Sequence, residues 1–254
     1  MMISIYNMDI NYIVEGEGDN ILILHGWGAN IETIVPILNI LKETHKVYAL
    51  DLPGFGKSEE PKEVYGSFNY ADVVKEFIDR MNIKVVSLIG HSFGGKLSII
   101  LASKYPELVD KVVLIDSAGL IPKRTLKYHL RVKSFKIFKK LYQTLVFWQA
   151  DEKKMEKLYS RFGSDDYQNS SGVMRKILVR VVNEDLKPIL REVKAPTLII
   201  WGSNDDATPV YQGKIMEEEI KDSGLVVFQG AGHYSYLDQY NRFKSVIESY
   251  FNIK

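Results

Sequence analysis

Gly90-His91-Ser92-Phe93-Gly94-Gly95 follows directly on Val85-Val86-Ser87-Leu88-Ile89 and leads into residues 96–105, which Pro106 stops. The run before it is short, apolar and rich in β-branched residues, the pattern of a buried strand. The residues behind it read as a helix up to the proline. Ser92 therefore stands where a strand turns sharply into a helix. A G-x-S-x-G turn in that context forces its serine into a strained backbone conformation and lifts the hydroxyl above the sheet. Side chains at 90 and 94 are expected to collide across so tight a turn, and Gly95 to let the helix pack close to the strand.

Working outward, the same strand–helix rhythm recurs. Residues 4–14 alternate loosely, as one or two edge strands. Residues 20–24 form a buried strand ending in His25-Gly26-Trp27-Gly28, and 31–43 carry helical spacing. A strand over 46–50 precedes the turn-rich Asp51-Leu52-Pro53-Gly54-Phe55-Gly56-Lys57-Ser58, then an amphipathic helix over 70–81. A strand over 112–115 ends at Asp116. From about 117 to 193 only helical periods appear. The strand pattern resumes over 197–200, a helix over 210–220 follows, a last strand over 225–228 reaches Gly230-Ala231-Gly232-His233, and a helix over 237–251 closes the chain. This order predicts an α/β fold: a mostly parallel sheet with helices on both faces, residues 1–117 and 194–254, and an inserted helical cap, residues 118–193. The cap is expected over the carboxyl ends of the strands, where such sheets keep their sites.

Bulk properties narrow the function. The chain has 254 residues, 46% of them hydrophobic, enough for one large domain with an insertion. Its 33 basic and 32 acidic residues nearly cancel, so nothing draws the whole molecule to nucleic acid. The absence of cysteine excludes disulfides, a thiol nucleophile and cysteine metal sites, and fits a reducing compartment. Met1-Met2-Ile3-Ser4-Ile5-Tyr6 lacks the basic-then-apolar pattern of a signal peptide, and no stretch reaches about 18 consecutive apolar residues. A cytoplasmic protein with no membrane span is the expectation.

Taken together, His25-Gly26-Trp27-Gly28, Asp51 to Ser58, Gly90 to Gly95, Trp201-Gly202-Ser203-Asn204-Asp205 and Gly232-His233 resemble, in order and spacing, the α/β-hydrolases that carry a helical cap. The resemblance covers nearly the whole chain and implies a serine hydrolase. A serine hydroxyl needs a base. Of the five histidines, His25, His45, His91, His129 and His233, only His233 follows the final strand in the loop where the family places its base. The family pattern Gly-x-x-Asp, counted from Gly202, selects Asp205 as the acid, with Asp116 as the rival. The implied catalytic set is Ser92, Asp205 and His233. The oxyanion donors implied are the backbone N–H groups of Phe93 and Trp27, whose side chains are also candidates for substrate binding.

No cofactor or metal is called for. The 51–58 loop lacks P-loop spacing, the 90–95 stretch carries Ser92 where a dinucleotide fingerprint has glycine, and no cluster has metal-ligand spacing. From Ile121 to Lys140 lie Lys123, Arg124, Lys127, Arg131, Lys133, Lys136, Lys139 and Lys140 without an acid. That stretch reads first as a solvated helix face, and second as a docking surface for an acidic carrier protein or an anionic surface. The expected partner is a small-molecule acyl substrate. The expected reaction is hydrolysis of a carboxylic ester or similar acyl compound. Carbon–carbon bond hydrolysis, perhydrolysis, acyl transfer and carrier-linked methyl ester hydrolysis would use the same triad. From another class, the scaffold would serve a non-catalytic binding protein, which usually lacks a triad member.

Overall fold

The computed structural model describes residues 1–123, 134 and 165–253. An eight-stranded sheet forms its centre: β1 (Met2–Ile5), β2 (Met8–Glu15), β3 (Asp19–Leu24), β4 (His45–Leu50), β5 (Val86–His91), β6 (Val109–Ile115), β7 (Thr197–Gly202) and β8 (Ser223–Phe228). The spatial order is β1-β2-β4-β3-β5-β6-β7-β8. β1 and β2 pair antiparallel, as do β2 and β4, and the remaining neighbours are parallel. From β3 the chain steps first to β4 on one side, then to β5 on the other. The order therefore reverses between β3 and β5, the place where open α/β sheets bind ligands at the carboxyl ends of their strands.

The apolar strands are continuous because both faces of the sheet are covered. Successive side chains point to opposite sides. Leu22, Leu24, Leu88, Leu114 and Ile199 join one core, with Tyr70 and Phe77 of α2 (Ser67–Arg80) and Leu97 and Leu101 of α3 (Phe93–Lys104). Ile21, Ile23, Ile89, Val113 and Ile200 join the other, with Ile34 and Leu38 of α1 (Ile31–Leu41) and Phe243 and Ile247 of the C-terminal helix.

Most of the expected cap, including His129 and all of the basic stretch except residues 121–123 and Ser134, lies outside the described residues. The described part begins with α4 (Asp165–Asn169) and α5 (Gly172–Val181) and ends in a 3-10 turn, Lys187–Glu192. Met174, Ile177 and Val181 of α5 enter the core of α2 and α3. A buried lysine on α3 fixes this return. Lys96 Nζ donates to the carbonyls of Val181 at 2.5 Å and Glu184 at 2.7 Å. The ammonium thus meets carbonyls at a helix C-terminus, where positive charge is favoured. Nearby, the Glu184 carboxylate accepts the Ser67 N–H that opens α2, at 2.8 Å.

Two details depart from the sequence reading. α3 begins at Phe93, directly after Ser92, so the turn has no spare residue between Ser92 and the helix. The last predicted helix is two: α7 (Ser235–Asp238) and α8 (Tyr240–Tyr250), with α6 (Tyr211–Glu219) before them. The break falls at Gln239, which leaves helical dihedrals (φ −128°, ψ 50°) and donates its side-chain amide to the Gln229 carbonyl.

Candidate active site

The loops after β3, β5, β7 and β8 converge at the carboxyl edge of the sheet. Ser92 has φ 50° and ψ −111°, a left-handed conformation that costs a non-glycine residue about 1–3 kcal/mol. Tight backbone contacts hold it there. A Cβ at Gly90 would run into the Gly94 carbonyl across the turn, as expected. At Gly94 the collision would be with the Leu24 carbonyl of β3 instead, so this glycine clears the neighbouring strand rather than the turn. Gly95 clears Ser117.

Ser92 Oγ lies 3.0 Å from His233 Nε2, and His233 Nδ1 lies 2.8 Å from Asp205 Oδ2. A carboxylate only accepts, so Nδ1 carries the proton and Nε2 is left to accept from the serine hydroxyl. Burial pushes the pKa of His233 down, but the hydrogen bond and charge of Asp205 outweigh it and hold the imidazole above its ordinary 6.5. Burial likewise raises Asp205, and the bonds from His233 and Thr208 overcome that to leave it lowered.

Asp205 is held by a turn built for it. Its Oδ1 accepts the N–H groups of Ala207 at 2.8 Å and Thr208 at 2.9 Å, and Thr208 Oγ1 donates to Oδ2 at 2.7 Å. Trp201, fully buried at the end of β7, donates Nε1–H to the Thr208 carbonyl at 2.6 Å and locks the turn to the sheet. Thr208 escaped the sequence reading. The signal available was its place three residues after Asp205, where an Asp side chain caps the following backbone.

The rival acid stands elsewhere. Asp116 Oδ1 accepts the Gly202 N–H at 2.8 Å, and Oδ2 accepts the Ser235 N–H at 3.0 Å. It joins the ends of β6 and β7 to the loop after His233, and burial pushes its pKa up to about 7. Asp206, beside Asp205, is exposed.

Of the other histidines, His25 is buried and supports a loop. Its Nδ1 donates to the Gly26 carbonyl at 2.7 Å, and its Nε2 accepts the Leu52 N–H at 2.9 Å. Burial lowers its pKa to about 4, so it stays neutral in that role. The bond joins the 25–28 loop to the 51–58 loop. In the latter, Asp51 accepts backbone N–H groups from Ile31 and Lys57. His45 opens β4, half-buried and away from the site.

The 25–28 loop lies against Ser92. A Cβ on Gly26 would stand 3.2 Å from Ser92 Cβ. The half-buried Trp27 ring meets Phe55 edge-on at 4.8 Å and Phe93 at 5.6 Å, and Phe93 meets Tyr70 at 5.2 Å. Phe93 itself is only 3% exposed, so its ring backs this aromatic wall. Its N–H opens α3, at the positive end of the helix. Among the described residues no group of three or more His, Asp or Glu could hold a metal ion, and no helix is long and apolar enough to cross a membrane.

Comparison with known proteins adds to the geometry. The family model described as the alpha/beta hydrolase fold matches residues 19–240. A 2-hydroxy-6-oxo-6-phenylhexa-2,4-dienoate hydrolase of Comamonas testosteroni is 27% identical, over 92% of this chain and 88% of its own. Lipase 1 of Psychrobacter immobilis is 27% identical, over 91% and 78%. Among solved structures, the enol-lactonase of Burkholderia xenovorans LB400 superposes with a TM-score of 0.77 over 99% of this chain and 100% of its own, at 21% identity, a likeness of fold.

Proposed function

Since the chain belongs to the alpha/beta hydrolase family, we propose that it is a serine hydrolase that cleaves a carboxylic ester or similar acyl compound through an acyl-enzyme. The observation that carries this is the unbroken hydrogen-bond chain Ser92–His233–Asp205. Ser92 Oγ attacks the carbonyl carbon as its proton passes to His233 Nε2. The backbone N–H groups of Phe93 and Trp27 hold the oxyanion. The tetrahedral adduct collapses, and His233 hands its proton to the departing alkoxide. Water then attacks the acyl-enzyme, with His233 again as base, and Ser92 leaves as the hydroxyl with release of the acid. The wall of Trp27 and Phe55 suits an apolar acyl or alcohol group.

The Comamonas relative gives a second reading, carbon–carbon bond hydrolysis of a vinylogous diketone on the same residues. One substrate panel separates them. p-Nitrophenyl esters from acetate to decanoate and a vinylogous diketone are offered to the wild-type chain and to Ser92→Ala. Turnover of esters, absent in the variant, is the expected result, and the preferred chain length sizes the pocket. Turnover of the diketone alone replaces ester hydrolysis with the second reading. Folded protein inert to both leaves either a narrower acyl substrate or the binding-protein alternative.

The protonation state of the base sets a pH dependence. Only neutral His233 can take the serine proton, and its pKa is raised. Activity therefore rises with pH through that value and levels off above it. The acid limb of kcat/KM is expected above pH 6.5, and a limb centred below 6.5 would show that burial outweighs Asp205 at the imidazole.

A further inference from the structure

His91 precedes the nucleophile and is 1% exposed. Its Nε2 lies 2.8 Å from the backbone carbonyl of His233. A carbonyl only accepts, so Nε2 carries the proton and Nδ1 is bare. That bare nitrogen is buried and has no hydrogen-bond partner among the described residues. It faces Gly26, where a Cβ would stand 3.0 Å away. Three rings box the imidazole: His233 at 5.0 Å, Tyr234 at 4.9 Å and Tyr236 at 5.3 Å between centroids.

A leucine would fill such a box without leaving an orphaned acceptor, which is costly when buried. What the imidazole adds is one donor aimed at one carbonyl. The backbone on either side of His233 is tied elsewhere: the Gly232 N–H to Asp238 at 2.7 Å, and the Ser235 N–H to Asp116 at 3.0 Å. The Asp205 bond fixes the base at its ring. Nothing in that bond fixes the backbone from which the ring swings.

We infer that His91 is a positioning residue for the base: its Nε2–H pins the His233 carbonyl while its ring braces the Gly26–Trp27 loop, so one side chain sets the base and an oxyanion donor relative to Ser92. This rests on the acyl-transfer reading, in which His233 is the base. Burial, and then the neighbouring His233, hold the His91 pKa down to about 3, so it stays neutral while His233 cycles between charge states, and the His233 carbonyl keeps the proton on Nε2.

The test uses the full chain and a fluorophosphonate, whose rate of attachment to Ser92 reads the nucleophile–base pair directly. His91→Gln keeps a donor at the reach of Nε2, His91→Asn is too short, and His91→Leu has none. Labelling is expected to slow about 100-fold in His91→Leu and His91→Asn, the scale of a base misplaced by about 1 Å, and to recover to within about threefold in His91→Gln. Wild-type labelling rates in His91→Leu, or a His91→Gln variant as slow as His91→Leu, overturn the inference. A folded wild-type chain that takes no label removes the acyl-transfer reading, and the inference with it. Nitrogen-15 histidine spectra of the unsubstituted chain decide the matter even if variants misfold. His91 is expected as the Nε2–H tautomer, without titration between about pH 5 and 9. An Nδ1–H tautomer or a titrating His91 overturns it.

Discussion

Asp205→Asn is expected to lower kcat about 10,000-fold while the protein stays folded. The reason lies in how the carboxylate is shared. One oxygen accepts two backbone N–H groups, from Ala207 and Thr208, and the other faces His233 Nδ1 and the Thr208 hydroxyl. An asparagine keeps its carbonyl on the two N–H groups, so its amide must turn toward His233. An amide there donates, and Nδ1 must then accept. The imidazole proton moves to Nε2, opposite Ser92 Oγ, where it blocks acceptance of the serine proton. Asp116→Asn is the comparison. Asp116 accepts backbone N–H groups on both oxygens, so one of them would face an amide instead. The cost falls on stability, about 1–3 kcal/mol for a buried group left unmet, and far less on turnover per folded molecule. Turnover assays with thermal melts of both variants check this. A dead Asp116→Asn beside an active Asp205→Asn would assign the acid to Asp116.

Ser92 carries the second large effect. Ser92→Ala is expected to remove about six orders of magnitude of kcat, leaving what binding and the oxyanion donors supply alone. Ser92→Gly should be equally inactive but more stable than the wild type. The serine sits at φ 50°, a region that glycine occupies at no steric cost, whereas alanine inherits the strain. Release of about 1–3 kcal/mol corresponds to a rise in Tm of at least about 2–4 °C in a chain of this size. A glycine variant that melts below the alanine variant would show that the turn stores no strain. On that result the turn holds Ser92 in place at the expense of stability.

The strands were readable because burial on both faces writes them as unbroken apolar runs: Ile21 to Leu24 and Val112 to Ile115 stand out whichever core each residue enters. Ser92 stood out by the strand–helix turn around it, whereas the resemblance to the family singled out His233 and Asp205 among the groups just past such runs, whose ends the parallel sheet gathers along one edge. Contacts made across long stretches of chain were not readable. Thr208 reaches Asp116 over 92 positions, Lys96 reaches Val181 over 85, and His91 reaches His233 over 142. No local pattern encodes such pairings. The sequence places Lys96 in the helix after the turn, and only the fold reveals it as a buried anchor at 3% exposure. Gly94 misled for a related reason: the turn explains Gly90, but the strand beside it explains Gly94.

The most direct measurement is the mass of the chain after treatment with a fluorophosphonate, followed by peptide mapping. One adduct per chain is predicted, on the peptide that holds Ser92, absent in Ser92→Ala and strongly slowed in Asp205→Asn. A folded wild-type chain that stays unlabelled, or takes its label on another residue, would contradict Ser92 as a nucleophile activated by His233.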